Sequence, residues 1–175
     1  MPFTAVINRG GYTISHIIID GYNVIGIFHK DLKKQREIFI DSLIEYKKRK
    51  GHDITIVFDG WKTGQGQEMK SIIGGIKVIY SRIGDTADSV IKRIISSERR
   101  QWIVITSDRD IAHHAWSSGS IPLRAEDFLN ILQRKSFSNP EEDEDKEDWP
   151  EISRKGNPKR LSKKDRAISK ALSKL

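Results

Sequence analysis

The 175-residue sequence contains no cysteine. Disulfide bonds, thiolate zinc sites and cysteine nucleophiles are therefore excluded, and nothing in the composition indicates secretion. Long hydrophobic runs are also missing, because the apolar stretches stop at about five residues, far short of a membrane span. Residues 1–15 lack the basic, apolar and small-residue regions of a signal peptide, so we expect a cytoplasmic protein.

Acidic residues are fewer than basic ones, at 24 Asp and Glu against 31 Lys and Arg, which leaves a formal net charge of +7. The excess is uneven. Residues 1–135 have a balance of +6, residues 136–152 hold eight acids and one base, and residues 153–175 hold nine bases and one acid. A basic body with a basic tail favours a polyanionic partner, because bound phosphates release condensed counterions. Solubility alone is the competing explanation.

Short apolar runs rich in β-branched residues alternate with longer amphipathic segments, as in a parallel sheet that is covered by helices. Strands are predicted over residues 16–19, 54–58, 76–80, 102–106 and 120–123. Helices are predicted over residues 32–50, 85–99 and 125–133, and Gly51 is the expected stop of the first. This alternation predicts a three-layer α/β/α fold with a doubly wound, mostly parallel sheet.

Composition divides the chain into four predicted regions. These are an N-terminal extension (1–15), the α/β domain (16–135), an acidic disordered linker (136–153) and a basic amphipathic helix (154–175). The glycine-rich segment 60–75 shows little periodicity and is predicted to be a loop beside the second strand. The basic helix has two interpretations, because it can dock on the domain through its apolar face or grip RNA or a ribosome surface.

Aspartates follow several of the predicted strands at the point where each strand ends. Asp20 and Asp59 directly follow apolar runs, and Asp108 comes just after a third run. Ligands of open parallel sheets bind outside the carboxyl ends of the strands, so these carboxylates are expected to converge. Asp85 and Asp88, at the start of the next helix, are expected to join them, although capping of that helix explains this pair equally well. Capping is also an alternative for Asp108.

Converging carboxylates need compensation, because two of them about 4 Å apart repel by roughly 4 kcal/mol at an effective dielectric constant of about 20. They therefore bind protons or cations. Hard oxygen ligands near phosphate favour Mg²⁺ or Mn²⁺, and such ions position and ionise water for phosphodiester hydrolysis. A basic protein with an acidic metal pocket is the charge arrangement expected of a nuclease.

Four short motifs occur in order: IIIDGYNVIG, IVFDG, DTAD at the start of a helix, and VITSD. With these motifs, residues 16–133 resemble the NYN domain family, relatives of the PIN nucleases, and within it the YacP-like group. The resemblance implies a PIN-like α/β/α fold and an endoribonuclease assisted by Mg²⁺ or Mn²⁺. We expect its substrate to be single-stranded RNA.

The resemblance also implies roles for individual residues. The family's catalytic, metal-binding acids fall on Asp20, Asp59, Asp88 and Asp108, and Asp85 stands beside them as a further metal ligand. Asp110 matches only weakly. Polar side chains expected to orient the ligands or their waters are Asn23, Thr106 and Ser107. From their positions beside these acids, and not from the resemblance, Trp61, Lys62, Arg82 and Arg109 are candidates for stacking on bases or binding phosphates, with a solvated side chain as the alternative for each.

Competing functions fit the motifs less well. A P-loop in segment 64–71 lacks the glycine required before its lysine, since Met69 stands there. A phosphatase of the haloacid-dehalogenase type needs a second aspartate at the position of Tyr22. A Toprim-like nuclease needs a glutamate at the position of Asp20. The main alternative is a non-catalytic module that binds RNA or the ribosome, because it needs the basic surface but not the acids.

Overall fold

The computed structural model describes residues 14–26, 31–60, 66–134 and 162–175. The strands in these ranges are β1 (His16–Asp20), β2 (Asp53–Phe58), β3 (Met69–Ile73), β4 (Ile76–Tyr80), β5 (Trp102–Ile105) and β6 (Ile121–Leu123). The helices are α1 (Gly21–Ile25), α2 (Leu32–Lys50), α3 (Ala87–Ser97), α4 (Arg109–Ser117), α5 (Ala125–Arg134) and α6 (Lys163–Lys174). None of these helices is long and apolar enough to cross a bilayer.

The strands form one sheet in the order β3-β4-β2-β1-β5-β6, in which every pair is parallel except β3 with β4. Helices α1, α2, α5 and α6 pack on one face, and α3 and α4 pack on the other. The predicted three-layer, mostly parallel α/β fold is thereby confirmed. The direction of winding reverses between β1 and β5, and this switch point is where such sheets bind ligands.

Successive side chains of the central strand enter opposite cores. Ile17 and Ile19 belong to the core with α2 and α5, whereas Ile18 belongs to the core with α3 and α4. All three are fully buried. Because both faces are covered, each position along the strand must be apolar, which explains why unbroken β-branched runs predicted the strands correctly.

Helix α2 has the predicted bounds. At its start the side chain of Asp31 accepts a hydrogen bond from the backbone N–H of Lys34, and at its end Gly51 turns the chain into β2. The helix buries Phe39, Leu43 and Tyr46 against the sheet. Capping residue, buried face and stop signal all lie within one segment, so local sequence was sufficient to define this helix.

The predicted loop over residues 60–75 is wrong in its second half. Residues 69–73 form β3, which pairs antiparallel with β4 across a turn at Gly74 and Gly75. Both glycines have positive φ, at 54° and 83°, which a tight hairpin turn requires and other residues rarely adopt. All of β3 is exposed at the edge of the sheet, so it lacks the buried pattern that identified the other strands.

Helix α6 docks on the domain. Ala171 and Leu175 are buried in the core that also contains residues of α2 and α5. The Tyr46 hydroxyl donates to the Leu175 carbonyl oxygen at 2.9 Å, and His52 Nε2 lies 3.1 Å from the Lys174 carbonyl oxygen. Docking is therefore the correct interpretation for residues 162–175, and contact of their exposed basic face with RNA stays a prediction.

All four predicted regions have residues that lie outside the described ranges. They are residues 1–13 of the N-terminal extension, residues 27–30, 61–65 and 135 of the α/β domain, the whole linker at 136–153, and residues 154–161 at the start of the basic helix.

Candidate active site

The carboxyl ends of the three central strands bring three aspartates to one edge of the sheet, here called the acidic edge (Asp20, Asp59 and Asp108). Asp20 is the last residue of β1, Asp59 follows β2, and Asp108 follows β5. Strand β1 lies between the other two strands. The negative charges of Asp59 and Asp108 both raise the pKa of Asp20, so each lies close enough to act on this carboxyl group.

Asp20 is the buried member of the acidic edge, with 8% of its surface exposed. Burial is the largest cause that raises its pKa from 3.8 to about 7, and repulsion by Asp59 and Asp108 adds to it. The backbone N–H of Asn23 and the hydroxyl of Thr106 act in the opposite direction. At neutral pH this carboxyl group is therefore protonated in a large fraction of molecules unless a cation compensates its charge.

Basic side chains do not neutralise the acidic edge. Within the described ranges, no lysine, arginine or histidine forms an ion pair with Asp20, Asp59 or Asp108. The acids are instead held by hydroxyl and backbone N–H groups, which fix their positions and leave the net charge of the cluster negative. Such a cluster has an affinity for cations.

Thr106 connects β1 to the loop after β5. Its hydroxyl donates to Asp20 Oδ2 over 3.4 Å and accepts a hydrogen bond from the backbone N–H of Asp108 at 3.1 Å. The threonine is 2% exposed, so both bonds are shielded from water. A single hydroxyl thus fixes the distance between two parts of the acidic edge.

Asn23 and Ser107 fasten the same loop to two helices. Asn23 Oδ1 accepts a hydrogen bond of 2.6 Å from the backbone N–H of Ser107. Ser107 Oγ accepts a weaker one of 3.4 Å from the backbone N–H of Ala125 at the start of α5. These contacts connect Asn23, Ser107 and Thr106 to the segments that carry the acids, and their predicted orienting role stays a prediction.

Asp59 is tied to the N-terminus of α3. Its Oδ1 accepts a hydrogen bond of 2.7 Å from the backbone N–H of Ala87. The loops after β2 and β4 come together beside it, because Gly60 N–H donates to Ser81 Oγ at 2.9 Å. A Cβ atom at Gly60 would lie 1.5 Å from the Ser81 carbonyl oxygen, so only glycine permits this approach.

Asp108 caps helix α4, as the capping alternative predicted. Its Oδ1 accepts hydrogen bonds from the backbone N–H groups of Asp110 at 2.7 Å and Ile111 at 3.3 Å. Its Oδ2 takes part in neither bond, and the residue is exposed. Capping therefore leaves one carboxylate oxygen for another interaction.

Asp88 differs from the acidic edge because it has a cationic partner. Lys92 Nζ lies 3.0 Å from Asp88 Oδ1, one helical turn further along α3. The same ammonium group also pairs with Asp110 on α4. The spacing of four residues between Asp88 and Lys92 was visible in the sequence and predicts such a pair on a helix. Lys92 is the residue near the candidate site that the sequence analysis missed.

Asp85 also pairs with a cation, since its Oδ2 lies 3.9 Å from Arg93 Nη1. It does not cap α3. The cap is Thr86, whose hydroxyl accepts a hydrogen bond from the backbone N–H of Ser89. The capping alternative for Asp85 is therefore wrong by one residue. Helix ends are commonly uncertain by one or two residues when they are read from a sequence.

The described residues contain no group of three His, Asp or Glu side chains that could hold a metal ion together. The expected gathering of all five aspartates in one pocket is thus not observed. Asp85 and Asp88 lie just before α3 and on its first turn, where Arg93 and Lys92, further along the same helix, reach them. Their role as metal ligands stays a prediction, as does that of the acidic edge.

The candidate RNA-contact residues divide into two pairs. Arg82 and Arg109 are exposed in the loop after β4 and at the start of α4, on the side of the sheet where the strands end. Trp61 and Lys62 lie outside the described residues. The positions of the two arginines are compatible with phosphate contact, which is untested.

Comparisons with known proteins identify the family and agree with the fold. The model of the YacP-like NYN domain family matches residues 17–174, so the match continues past residue 133 and includes α6. Two similar solved structures are crystal structures of Rae1 (YacP) from Bacillus subtilis. One is 26% identical with a TM-score of 0.57, covering 70% of this chain and 76% of the other. The second, a point mutant of Rae1, is 24% identical with a TM-score of 0.56, covering 70% and 77%. Among curated proteins, no match is found.

Proposed function

The chain belongs to the YacP-like NYN domain family, and from this premise we propose that it is an endoribonuclease that depends on a divalent metal ion. Membership of this family, within the PIN-like nuclease superfamily, itself suggests RNase activity. One observation carries the finer proposal: Asp20 is a buried carboxyl group at the switch point of the sheet, with its pKa raised to about 7 beside two further acids. That arrangement is costly for folding and useful for binding a cation.

The acidic edge fits Mg²⁺ or Mn²⁺ in ligand chemistry. Its donors are hard carboxylate oxygens, and its negative charge is uncompensated among the described residues. Such an ion commonly uses one or two carboxylates and completes its shell with water and substrate phosphate, so a closed set of three side chains is not needed. Asp20 with Asp59 or Asp108 would hold it, and the bound ion would polarise the phosphodiester and lower the pKa of a water molecule.

The protein's own residues supply preorganisation. The Thr106 hydroxyl and the backbone N–H of Ala87 hold Asp20 and Asp59 at fixed positions before substrate arrives. Carboxylates that need not reorganise stabilise developing charge more effectively than mobile ones. We expect these hydrogen bonds to contribute to catalysis by keeping the acids in place.

The openness of the site favours a polymeric substrate. Asp108 is exposed and Asp59 is half-buried, so the acidic edge can be reached from solvent at these two acids. A single RNA strand can lie across such an edge, with its phosphates near Arg82 and Arg109, and be cut internally. The +7 charge of the chain supports binding of this polyanion.

A non-catalytic module that binds RNA or the ribosome is the second candidate function. It is favoured by the ion pairs of Asp85 and Asp88, because acids that are already compensated have no need of a metal ion. A cleavage assay distinguishes the two candidates.

The test is cleavage of end-labelled single-stranded RNA by wild type, Asp20→Asn and Asp88→Asn, each with Mg²⁺, Mn²⁺ or EDTA. We expect internal cleavage by wild type with metal, none with EDTA, and none by Asp20→Asn. Equal cleavage by all three proteins would indicate a contaminating nuclease and refute the assignment. Intact RNA binding without cleavage by wild type would favour the non-catalytic module.

A further inference from the structure

A half-buried arginine on α2 is held by aromatic side chains. The Nη1 group of Arg36 donates a hydrogen bond of 2.6 Å to the hydroxyl oxygen of Tyr22. Its guanidinium carbon lies 6.0 Å from the ring centroid of Phe58 and 5.7 Å from that of Tyr80, within the range of cation–π attraction. The guanidinium group is therefore fixed by three aromatic residues, here called the aromatic platform.

The aromatic platform belongs to the elements that build the acidic edge. Tyr22 follows β1 by two residues, Phe58 immediately precedes Asp59, and Tyr80 ends β4 opposite Phe58 in the register of the sheet. The Phe58 ring stacks on Tyr80 at 5.5 Å between centroids and meets Tyr22 edge to face at 5.1 Å. Arg36 thus stands beside the acidic edge, on the side of the sheet covered by α2.

The positive charge of Arg36 has no carboxylate partner among the residues that the structure describes. The platform does not supply a negative charge either, because burial raises the pKa of Tyr80 above its ordinary value of 10.0 and keeps the hydroxyl neutral. Arginine is almost never fully buried without a paired charge, and Arg36 is half-buried without one in the described part of the chain. A fixed, uncompensated guanidinium group therefore indicates a ligand that brings its own negative charge.

We propose that Arg36 binds a phosphate of the RNA strand adjacent to the phosphate that is cleaved, an inference that rests on the proposed function. A guanidinium group has five N–H donors, and Tyr22 accepts a hydrogen bond from one of those on Nη1. The donors on Nε and Nη2, which lie in one plane, remain for two phosphate oxygens. Its anchoring lowers the entropic cost of binding, because the side chain is already ordered. Arg36 is then a substrate-binding residue that positions the strand relative to the acidic edge.

The experiment measures the affinity of the full chain for single-stranded RNA in EDTA, where cleavage is stopped, over a series of salt concentrations. Loss of one phosphate contact should lower the slope of log K against log salt by about 0.7 for single-stranded RNA. We expect this decrease for Arg36→Gln. Lys34→Gln is the matched control, because it removes the same charge from an exposed residue of the same helix and should leave the slope unchanged.

Thermal unfolding of the same variants separates binding from a structural role. An Arg36→Gln protein that loses stability but keeps the wild-type slope would overturn the proposal. Arg36→Lys, which retains charge without the planar fork, should keep the slope and bind RNA more weakly than wild type; wild-type affinity in this variant would count against bidentate binding.

Should Arg36→Gln fail to fold, Tyr22→Phe replaces it, since that variant keeps the charge and releases the guanidinium group from its anchor. It should weaken RNA binding with an unchanged slope, and unchanged affinity would refute the role of the platform. Failure of the proposed function is visible separately, as wild-type cleavage by Asp20→Asn, and would leave the affinity measurements on Arg36 unaffected.

Discussion

The acids at the two ends of the central strands differ in their charged neighbours. At the amino end, Asp53 has two cationic neighbours, Arg100 Nη1 at 3.8 Å and Lys47 Nζ at 3.9 Å, and His16 Nδ1 lies 3.2 Å from it. At the carboxyl end, Asp20 has Thr106, backbone groups and two further acids around it. Both acids lie in the same pair of strands, β1 and β2, and only the second is left without a cation.

This difference separates an acid that is paired with cations from one that is not, and we propose that the second is kept for a ligand. The cations beside Asp53 compensate its negative charge, so this carboxylate has little affinity for a further cation. The acidic edge concentrates charge of one sign at the switch point, and that costs stability unless a proton or cation is bound. Charge left uncompensated at a ligand-binding position is therefore a stronger indication of function than the presence of acids alone.

The strongest test of this difference is to neutralise one acid at each end of the strands and compare the rates of RNA cleavage. Asp20→Asn should lower the rate of RNA cleavage by more than the roughly 10–100-fold typical for loss of an outer supporting residue, because it removes a proposed direct ligand. Asp53→Asn should cleave at a rate within about twofold of wild type and lose less than about 1 kcal/mol of stability, as exposed ion pairs do. Similar rates for the two variants would show that the ends do not differ in function.

Removing the hydroxyl that connects the acidic edge should have the next largest effect. Thr106→Val retains shape but leaves the N–H of Asp108 and the carboxyl of Asp20 without their partner, so we expect a loss of roughly 10–100-fold in cleavage rate. Thr55→Val is the control, since this buried threonine lies in β2 away from the strand ends. Equal losses in both variants would assign the effect to core packing.

The dependence of stability on pH should also distinguish the two ends. The folded-state pKa of Asp20, about 7, lies above its ordinary value of 3.8, so the folded protein binds this proton more tightly than the unfolded chain. The resulting stabilisation is fully present below pH 3.8 and is lost as the pH rises through about 7.

Linkage predicts that this carboxyl group alone lowers the free energy of unfolding by about 2 kcal/mol between pH 5 and pH 7 without metal. Denaturant unfolding of wild type and Asp20→Asn at both pH values in EDTA measures it. The difference in the free energy of unfolding between the two proteins should decrease toward pH 5. It should increase toward pH 7, where the variant should be the more stable protein. Parallel pH profiles would mean that Asp20 titrates normally. Added Mg²⁺ should restore part of the stability of wild type only.

The smallest expected effect concerns Lys92. This lysine pairs with Asp88, so the charge of Asp88 is compensated as that of Asp53 is at the amino end of the strands. Lys92→Met removes the ammonium group between Asp88 and Asp110 and should tighten Mn²⁺ binding about two- to fivefold, the range that the energy of a solvent-accessible ion pair allows. Titration calorimetry measures the affinity, and Lys48→Met, whose lysine pairs with Glu45 on α2, controls for net charge. Unchanged Mn²⁺ affinity in Lys92→Met would remove Asp88 from the metal site.

Sequence patterns were most informative where one local cause decides the structure. The β-branched runs of β1, β2 and β5 and the stop at Gly51 were predicted correctly because burial on both faces and a helix terminus act within a few residues. Strand β3 was missed, because an exposed edge strand has no apolar periodicity to find. The docking of α6 was left open, since its partners Tyr46 and His52 are more than a hundred residues away in sequence.

The candidate site shows the same division. The order of residues placed an acid at the end of each central strand, and a parallel sheet must bring such positions to one edge. The Asp88–Lys92 pair follows from local spacing, but the other contacts that set the charge of the acids were decided by tertiary structure, because the hydroxyl between Asp20 and Asp108 and the pairing of Lys92 with Asp110 join segments far apart in the chain. Electrostatic energies depend on distance and burial in space, and neither quantity is contained in the spacing of residues along a sequence.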